Sequence, residues 1–336
     1  IEPGATTIGS GAFKFTNVAS VSLPDTLETI GSAAFYDCRD LTSISIPGSV
    51  KSIGNQAFLD CWYLETVTLS DGLVTIGDSV FNNCRALTGI TIPSSVETIG
   101  ANAFYDCWDL EHAELSYGLV SIGNSAFENC SSLKAIHIPD SVTSVGRLAF
   151  KSCPSLAEAT LSSQLTVIPY SMFHNDHELT SITPPAGPTE IDGRAFSSAG
   201  LTSLVIPDGV TRIGEEAFYN CNLTSVHIPS QLEELGSQAF YNNEELTGEL
   251  VLPAGVRTIG KMAFADTSLS SVRMEGAVAS IGYKAFFPDT LTNIYYGGTQ
   301  AQFNTAMGRG DDTDQYLGLL GKTVHCTDGT LSFPEA

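Results

Sequence analysis

The chain is poor in basic residues. Fifteen Lys and Arg stand against 37 Asp and Glu in 336 residues, a formal net charge of −22. Nucleic-acid binding requires clustered cations to neutralise phosphates, so this balance argues against it. Anionic membrane surfaces are disfavoured for the same reason. The charge predicts high solubility and a cationic or neutral partner. Long apolar runs are missing too: none reaches the about 18 residues that a transmembrane helix needs, so no membrane insertion is expected within this segment. No initiator Met, basic n-region or apolar h-region opens the chain. It starts inside a repeat copy, with Ile1 in the place that Ile46 holds, which predicts a piece of a longer protein. Any signal or anchor segment is then expected outside it. Cysteines at the C-x₂-C spacing of a structural zinc site are also lacking.

What the chain does have is repetition. A segment reading roughly L-x-x-I-x-I-P-x-x-V-x-x-I-G-x-x-A-F-x-x-C recurs, marked by Phe13, Phe35, Phe58, Phe81, Phe104, Phe127, Phe150, Phe173, Phe196, Phe218, Phe240, Phe264 and Phe286. The spacings are 22, then 23 seven times, then 22, 22, 24 and 22. A constant period in that range predicts a solenoid, one supersecondary unit per coil. Each coil packs only on its neighbours, so 336 residues need not split into several cores. A solenoid presents surface, which makes binding or scaffolding the default and catalysis the exception.

The eight cysteines follow the same period. Cys38, Cys61, Cys84, Cys107, Cys130, Cys153 and Cys221 each lie three residues after a marker Phe. This predicts an inward ladder of reduced, packing thiols rather than a disulfide set, since free Cys behaves as a small hydrophobe. Cys326 stands apart near the C-terminus.

Residues 41–62 show one coil. Leu41 to Ile46 alternates apolar and small polar residues, a half-buried strand. Pro47 ends it by withholding an amide hydrogen. Val50 and Ile53 return inward from a short extended piece. Gly54 is read as a turn that a Cβ would resist. Ala57, Phe58 and Cys61, with Leu64 of the next coil, fall at i, i+1, i+4 and i+7, the pattern of one face of a short helix. Asp or Asn before the Cys (Asp37, Asp60, Asn83, Asp106, Asn129, Asn220) is expected to bond nearby backbone at the corner. No crossover reverses the chain, so stacked strands must be parallel.

The copies Leu41–Pro47, Ser49–Phe58 and Ser95–Phe104 resemble leucine-rich repeats of the BspA type, found on bacterial surface proteins and in some parasitic protists. The resemblance covers residues 1–296 in about 13 copies, and the segment from Ile294 to Thr299, with Phe303 and Thr323–Cys326, is similar to the terminator of such domains. It implies an α/β leucine-rich repeat solenoid: a right-handed β-α superhelix with one parallel sheet and short helices or turns opposite. It also implies an extracellular or cell-surface place and adhesion to host matrix proteins or other microbes. It carries no catalytic residues and does not fix the ligand.

The expected domains are thus the solenoid at 1–296 and a C-terminal cap at 297–336, the cap holding a helix from Thr299 to Met307, an acidic loop and extended structure over Thr323–Phe333. A 46-residue pair underlies part of the repeat, since Phe58–Trp62 is echoed by Phe104–Trp108. The pattern decays between Ser162 and Gly200, where Asp176 takes a Cys place and Pro184 an inward strand place, predicting a bend or weak seam.

Two outward columns line the strands. Most members are Ser or Thr, which simply suit an exposed sheet. The middle departs from this: Glu114 and His137 are column neighbours about 5 Å apart, with His112 and Glu158 diagonal to them. These four are the candidates for a polar ligand. A flat sheet excludes no water, which argues against an acid–base dyad. A second column, one residue after the Cys, reads Arg39, Trp62, Arg85 and Trp108. Alternation at single-coil spacing suits a cation–π stack, and Trp and Arg are frequent interface anchors; covering the corner is the plainer alternative. His174-Asn175-Asp176-His177-Glu178 is read as a loop rather than a metal site, and Arg309-Gly310-Asp311 as a chance match to an integrin motif. No cofactor, metal or catalytic residue is expected. The resulting expectation is a monomeric, non-enzymatic surface or secreted module that binds a macromolecule, protein before glycan. A passive spacer presenting another domain is the alternative.

Overall fold

Alternation in each coil becomes strand, and the period becomes register. The structure is a computed structural model and describes residues 1–183, 187–287, 290–308 and 318–333. It divides into two compact units: Ile1–Leu165 with Met172–Thr183, and Thr166–Ser171 with Pro184–Ala336. Pro184 lies outside the described residues.

The first unit holds two seven-stranded sheets, each wholly parallel. One contains Ser43–Ile46, Thr66–Leu69, Gly89–Ile92, His112–Leu115, Ala135–His137, Glu158–Thr160 and Ser181–Thr183. The other stacks two-residue strands, from Thr7–Ile8 to Ser144–Val145. Ser43 pairs with Thr66 and Ser52 with Thr75, so each ladder advances by one period per coil. The expectation of a single parallel sheet is corrected here. The short extended piece around Val50 and Ile53 pairs with its own copies and makes a second ladder.

The second unit repeats the plan with a six-stranded sheet of short strands, a pair Ser203–Val205 with Ser225–His227, and a five-stranded sheet. The 24-residue spacing between Phe240 and Phe264 is taken up between Asn243 and Thr247, which pair with the adjacent Thr267 and Ser268, and a smaller, opposite shift follows Gly248, whose φ is +84°. Its last strands, Lys322–Cys326 and Gly329–Phe333, pair antiparallel. The helix Gln300–Ala306 precedes them, with Thr299 and Gln302 forming a reciprocal capping box.

The helix expected around Ala57–Cys61 is instead a run of turns. An α-helix would consume its N–H groups internally at i→i−4. Here alternate residues send them to the next coil: Gln56 to Asp78, Phe58 to Val80 and Asp60 to Asn82, at 2.8–3.0 Å. The residues between donate three positions back within their own coil, as Ala57 does to Gly54. Two residues per coil turn left-handed to allow this, Gln56 and Asp60 both at φ +62°. That explains the Asp or Asn before six of the seven ladder Cys, since these types tolerate αL; Ser152 takes the same left-handed turn before Cys153. Their side chains bond one another along the stack: Asn83 Nδ2 donates to Asp60 Oδ1 at 2.5 Å and Asn129 Nδ2 to Asp106 Oδ1 at 2.9 Å. The glycine after most of the short strands has a different reason from the one expected. A Cβ on Gly54 would lie 2.5 Å from the Ser32 backbone nitrogen of the preceding coil.

The Phe and Cys ladders lie inside. Neighbouring rings from Phe35 to Phe173 are 5.0–5.7 Å apart and within 17° of parallel, a favourable stacked range. Each thiol donates to the carbonyl of the Phe one coil earlier: Cys107 to Phe81 and Cys130 to Phe104, both 3.2 Å. All seven repeat cysteines are buried and unpaired in disulfides. Burial raises their pKa values, that of Cys221 to about 12.

Where Cys is absent the substitute is informative. Asn243 donates to the Phe218 and Phe240 carbonyls, both at 2.9 Å. Asp176 is fully buried; its Oδ1 accepts from the Cys153 N–H at 2.7 Å and its Oδ2 has no partner. Burial pushes this carboxyl well above the usual carboxylate range, against the Cys153 N–H. A buried carboxyl, held toward its neutral form by desolvation, thus occupies the rung where Cys and Asn donate elsewhere.

Three outcomes follow. Phe104→Ala removes a fully buried ring and is expected to destabilise by about 3–5 kcal/mol. Its melting midpoint, set against an exposed Ser45→Ala control, measures this. Dithionitrobenzoate should label the native chain fastest at half-buried Cys326, the seven ladder thiols reacting only on unfolding. A neutral buried Asp176 contributes fully below its unfolded value of about 3.9, and its contribution fades as pH rises through the raised folded value. Asp176→Asn should therefore melt higher than the parent at neutral pH, with the gap widening from pH 4.5 to 8.5. A gap independent of pH would contradict the neutral carboxyl.

Candidate functional site

The alternation that buries Ile44, Val67, Ile90 and Ile136 turns the intervening residues outward. His112 and Glu114 extend from His112–Leu115, His137 from Ala135–His137 and Glu158 from Glu158–Thr160, and all four side chains are exposed. His112 lies opposite Ala135, which lies opposite Glu158. Ala135 between these longer side chains leaves a depression of about 430 Å³ lined by His112, Glu114, His137, Glu158 and Thr160 over an Ala113–Ile136 floor. A second depression, of about 260 Å³, lies on the other side of His112 and Glu114, where Gly89 is the small residue. The small residues were visible in the columns. Their part in making the hollows was not, because it depends on who stands beside them.

Bonding within the site differs from simple column order. Glu114 Oε2 accepts from Thr91 Oγ1 at 3.1 Å, turning toward Thr91. His112 Nε2 lies 3.8 Å from Glu111 Oε2, which Lys134 also engages. That lysine's hydrogen bond holds the Glu111 carboxyl below its ordinary range. Below His137, Asp140 accepts from the Ser163 amide at 2.8 Å, which lowers its carboxyl in the same way. Among the described residues no hydrogen bond or ion pair joins Glu114 to His137.

The corner column does come together. The Arg39 guanidinium carbon is 3.8 Å from the Trp62 ring centre, and that of Arg85 lies 4.6 Å from Trp62 and 4.2 Å from Trp108. The corner residues aim the arginines: Asp37 Oδ1 accepts from Arg39 Nε at 2.6 Å and Asn83 Oδ1 from Arg85 Nε at 2.7 Å. The alternation is thus a continuous cation–π stack.

The His174–Glu178 segment does not assemble into a site. Asp176 is buried, whereas His177 and Glu178 are exposed, and among the described residues no group of three or more His, Cys, Asp or Glu is placed to hold a metal. Arg309-Gly310-Asp311 lies outside the described residues. Among those described, no helix is long and apolar enough to cross a membrane.

Known proteins place this geometry in a family. The model of the BspA type leucine rich repeat region matches residues 6–117, 97–221 and 189–307. A leucine rich cell surface protein of Faecalibacterium prausnitzii A2-165 is 27% identical, with 90% of this chain and 85% of that chain covered and a TM-score of 0.54. The pneumococcal vaccine antigen PcpA shares the fold at 24% identity, with 89% and 75% covered and a TM-score of 0.56. No curated protein matches the chain. With a parallel-strand solenoid, inward Phe and Cys ladders and a family match over most of its length, the chain belongs to the BspA-type leucine-rich repeat family.

Proposed function

We infer that this chain is a non-enzymatic binding module presented at a cell surface, taking a macromolecule, protein before glycan, on the central strand face of its first unit. The observation that carries this is the hollow of about 430 Å³ at His112, Glu114, His137 and Glu158, where the outward columns leave their Ser and Thr pattern. Ser and Thr satisfy an exposed sheet by themselves. Imidazoles and carboxylates around a small-residue gap add directional donors, acceptors and charge, which is the chemistry of recognition. Family membership supports a binding or structural module and points to no catalytic class. The surface placement draws on the Faecalibacterium relative, which is named as a cell surface protein. The long hydroxyl columns on either side favour the second reading, a monomeric spacer that holds another domain away from the cell, because they offer little distinct chemistry.

A triple variant of His112, Glu114 and His137 to Ser or Thr separates the two. All three side chains are exposed, so the melting midpoint should stay within about two degrees of the parent. Parent and variant are screened against matrix proteins, mucin and a glycan array. Loss of tenfold or more in affinity for whatever the parent binds is the expected result. A parent that binds nothing across the screen, or a variant that binds as well, would overturn the strand-face site.

A further inference from the structure

The Arg–Trp stack is unfinished at one end. The position after the ladder cysteine reads Arg39, Trp62, Arg85, Trp108 and then Ser131. Trp62 carries a guanidinium from each neighbouring coil, Arg39 at 3.8 Å and Arg85 at 4.6 Å. Among the described residues Trp108 carries one, Arg85 at 4.2 Å. On the following rung Ser131 turns its hydroxyl to the Asn129 carbonyl at 3.4 Å, and a hydroxymethyl group is too small to cover an indole. Trp108 accordingly keeps 42% of its surface exposed, although its ring is held in a stack.

The polar half of a guanidinium seat is present on the same rung. At Arg85, Asn83 gives its Nδ2 to Asp60 at 2.5 Å and its Oδ1 to the arginine Nε at 2.7 Å. Asn129 repeats the first half of this arrangement, giving its Nδ2 to Asp106 at 2.9 Å, with its side chain also meeting Tyr105. The arginine that would use its second half is missing, because the chain has Ser131 there. An indole face attracts cations, Arg above all, and a chain with a net charge of −22 draws them toward it.

We propose that the open face of Trp108, with the Asn129 carboxamide beside it, receives an arginine side chain of a protein partner, which completes the stack as its fifth rung. The site lies at the corner of the coil, apart from the strand-face hollow, and stands or falls independently of it.

The chain has two tryptophans, so indole N–H resonances in a ¹⁵N-labelled sample report each end of the stack. Titration with a capped Gly-Gly-Arg-Gly-Gly peptide should move the Trp108 signal saturably and leave Trp62 nearly still. The lysine peptide should act more weakly and the norleucine peptide not at all. Ser131→Arg fills the seat from within the chain. It should weaken the arginine-peptide response at least tenfold while keeping or raising the melting midpoint. Should that variant unfold, Trp108→Leu answers the same question by anisotropy of a labelled peptide, whose affinity must fall. The strand-face triple variant should respond like the parent. A still Trp108 signal, an equal response to norleucine, or undiminished binding by Ser131→Arg or a folded Trp108→Leu would overturn the proposal.

Discussion

Each ladder phenylalanine has a carbonyl buried inside the coil, and a buried carbonyl without a donor is costly. The coil answers with two donors. Phe58 accepts the N–H of Cys61 from its own coil at 3.3 Å and the thiol of Cys84 from the next at 3.2 Å. This requirement favours, three places after most of the ladder Phe residues, a side chain that is small, inward and able to donate; Ala199, after Phe196, is an exception. It accounts for the thiol ladder and for Asn243 among the exceptions, while the raised pKa of Asp176 comes from its burial. It also ties each coil to its neighbour from within, beside the strand ladders and the stacked turns. Metal and disulfide chemistry have no part in this account of the cysteines.

Such regularity leaves little room for recognition, because whatever repeats is already committed to the stack. The exposed Ser and Thr columns satisfy a sheet and say nothing of a ligand. Distinct chemistry collects where the column is broken. Around His112 it is broken twice, by Gly89 and Ala135, and each loss of a side chain opens a hollow beside a long polar neighbour. At the corner it is broken by Ser131, which leaves the Trp108 indole partly uncovered on the rung before Asn129. In both places a small residue does as much as a large one.

Much of the fold was legible because a period translates directly into register. The inward Phe and Cys ladders, the parallel strands and the outward setting of His112, Glu114, His137 and Glu158 follow from alternation and spacing alone. The turn segment was misread as helix because apolar residues at i, i+1 and i+4 fit both structures. Only the destination of the N–H groups separates them, and that destination lies a whole coil away, as Phe58 N–H to the Val80 carbonyl shows. Gly54 was misread for the same reason, since its constraint is the backbone of Ser32 rather than its own φ.

The chain's sequence by itself therefore determined the solenoid, its period, its inner and outer faces and its family resemblance, because these depend on patterns that recur within one coil. Tertiary structure decided the second parallel ladder, the partner of Glu114, the two hollows beside His112 and the open end of the Arg–Trp stack. Each of these is a relation between side chains or backbone groups some 23 residues apart, matching the repeat spacing. Its sign depends on the size of the residue on the adjoining rung. Spacing brings such residues onto one column, and only packing tells which of them touch.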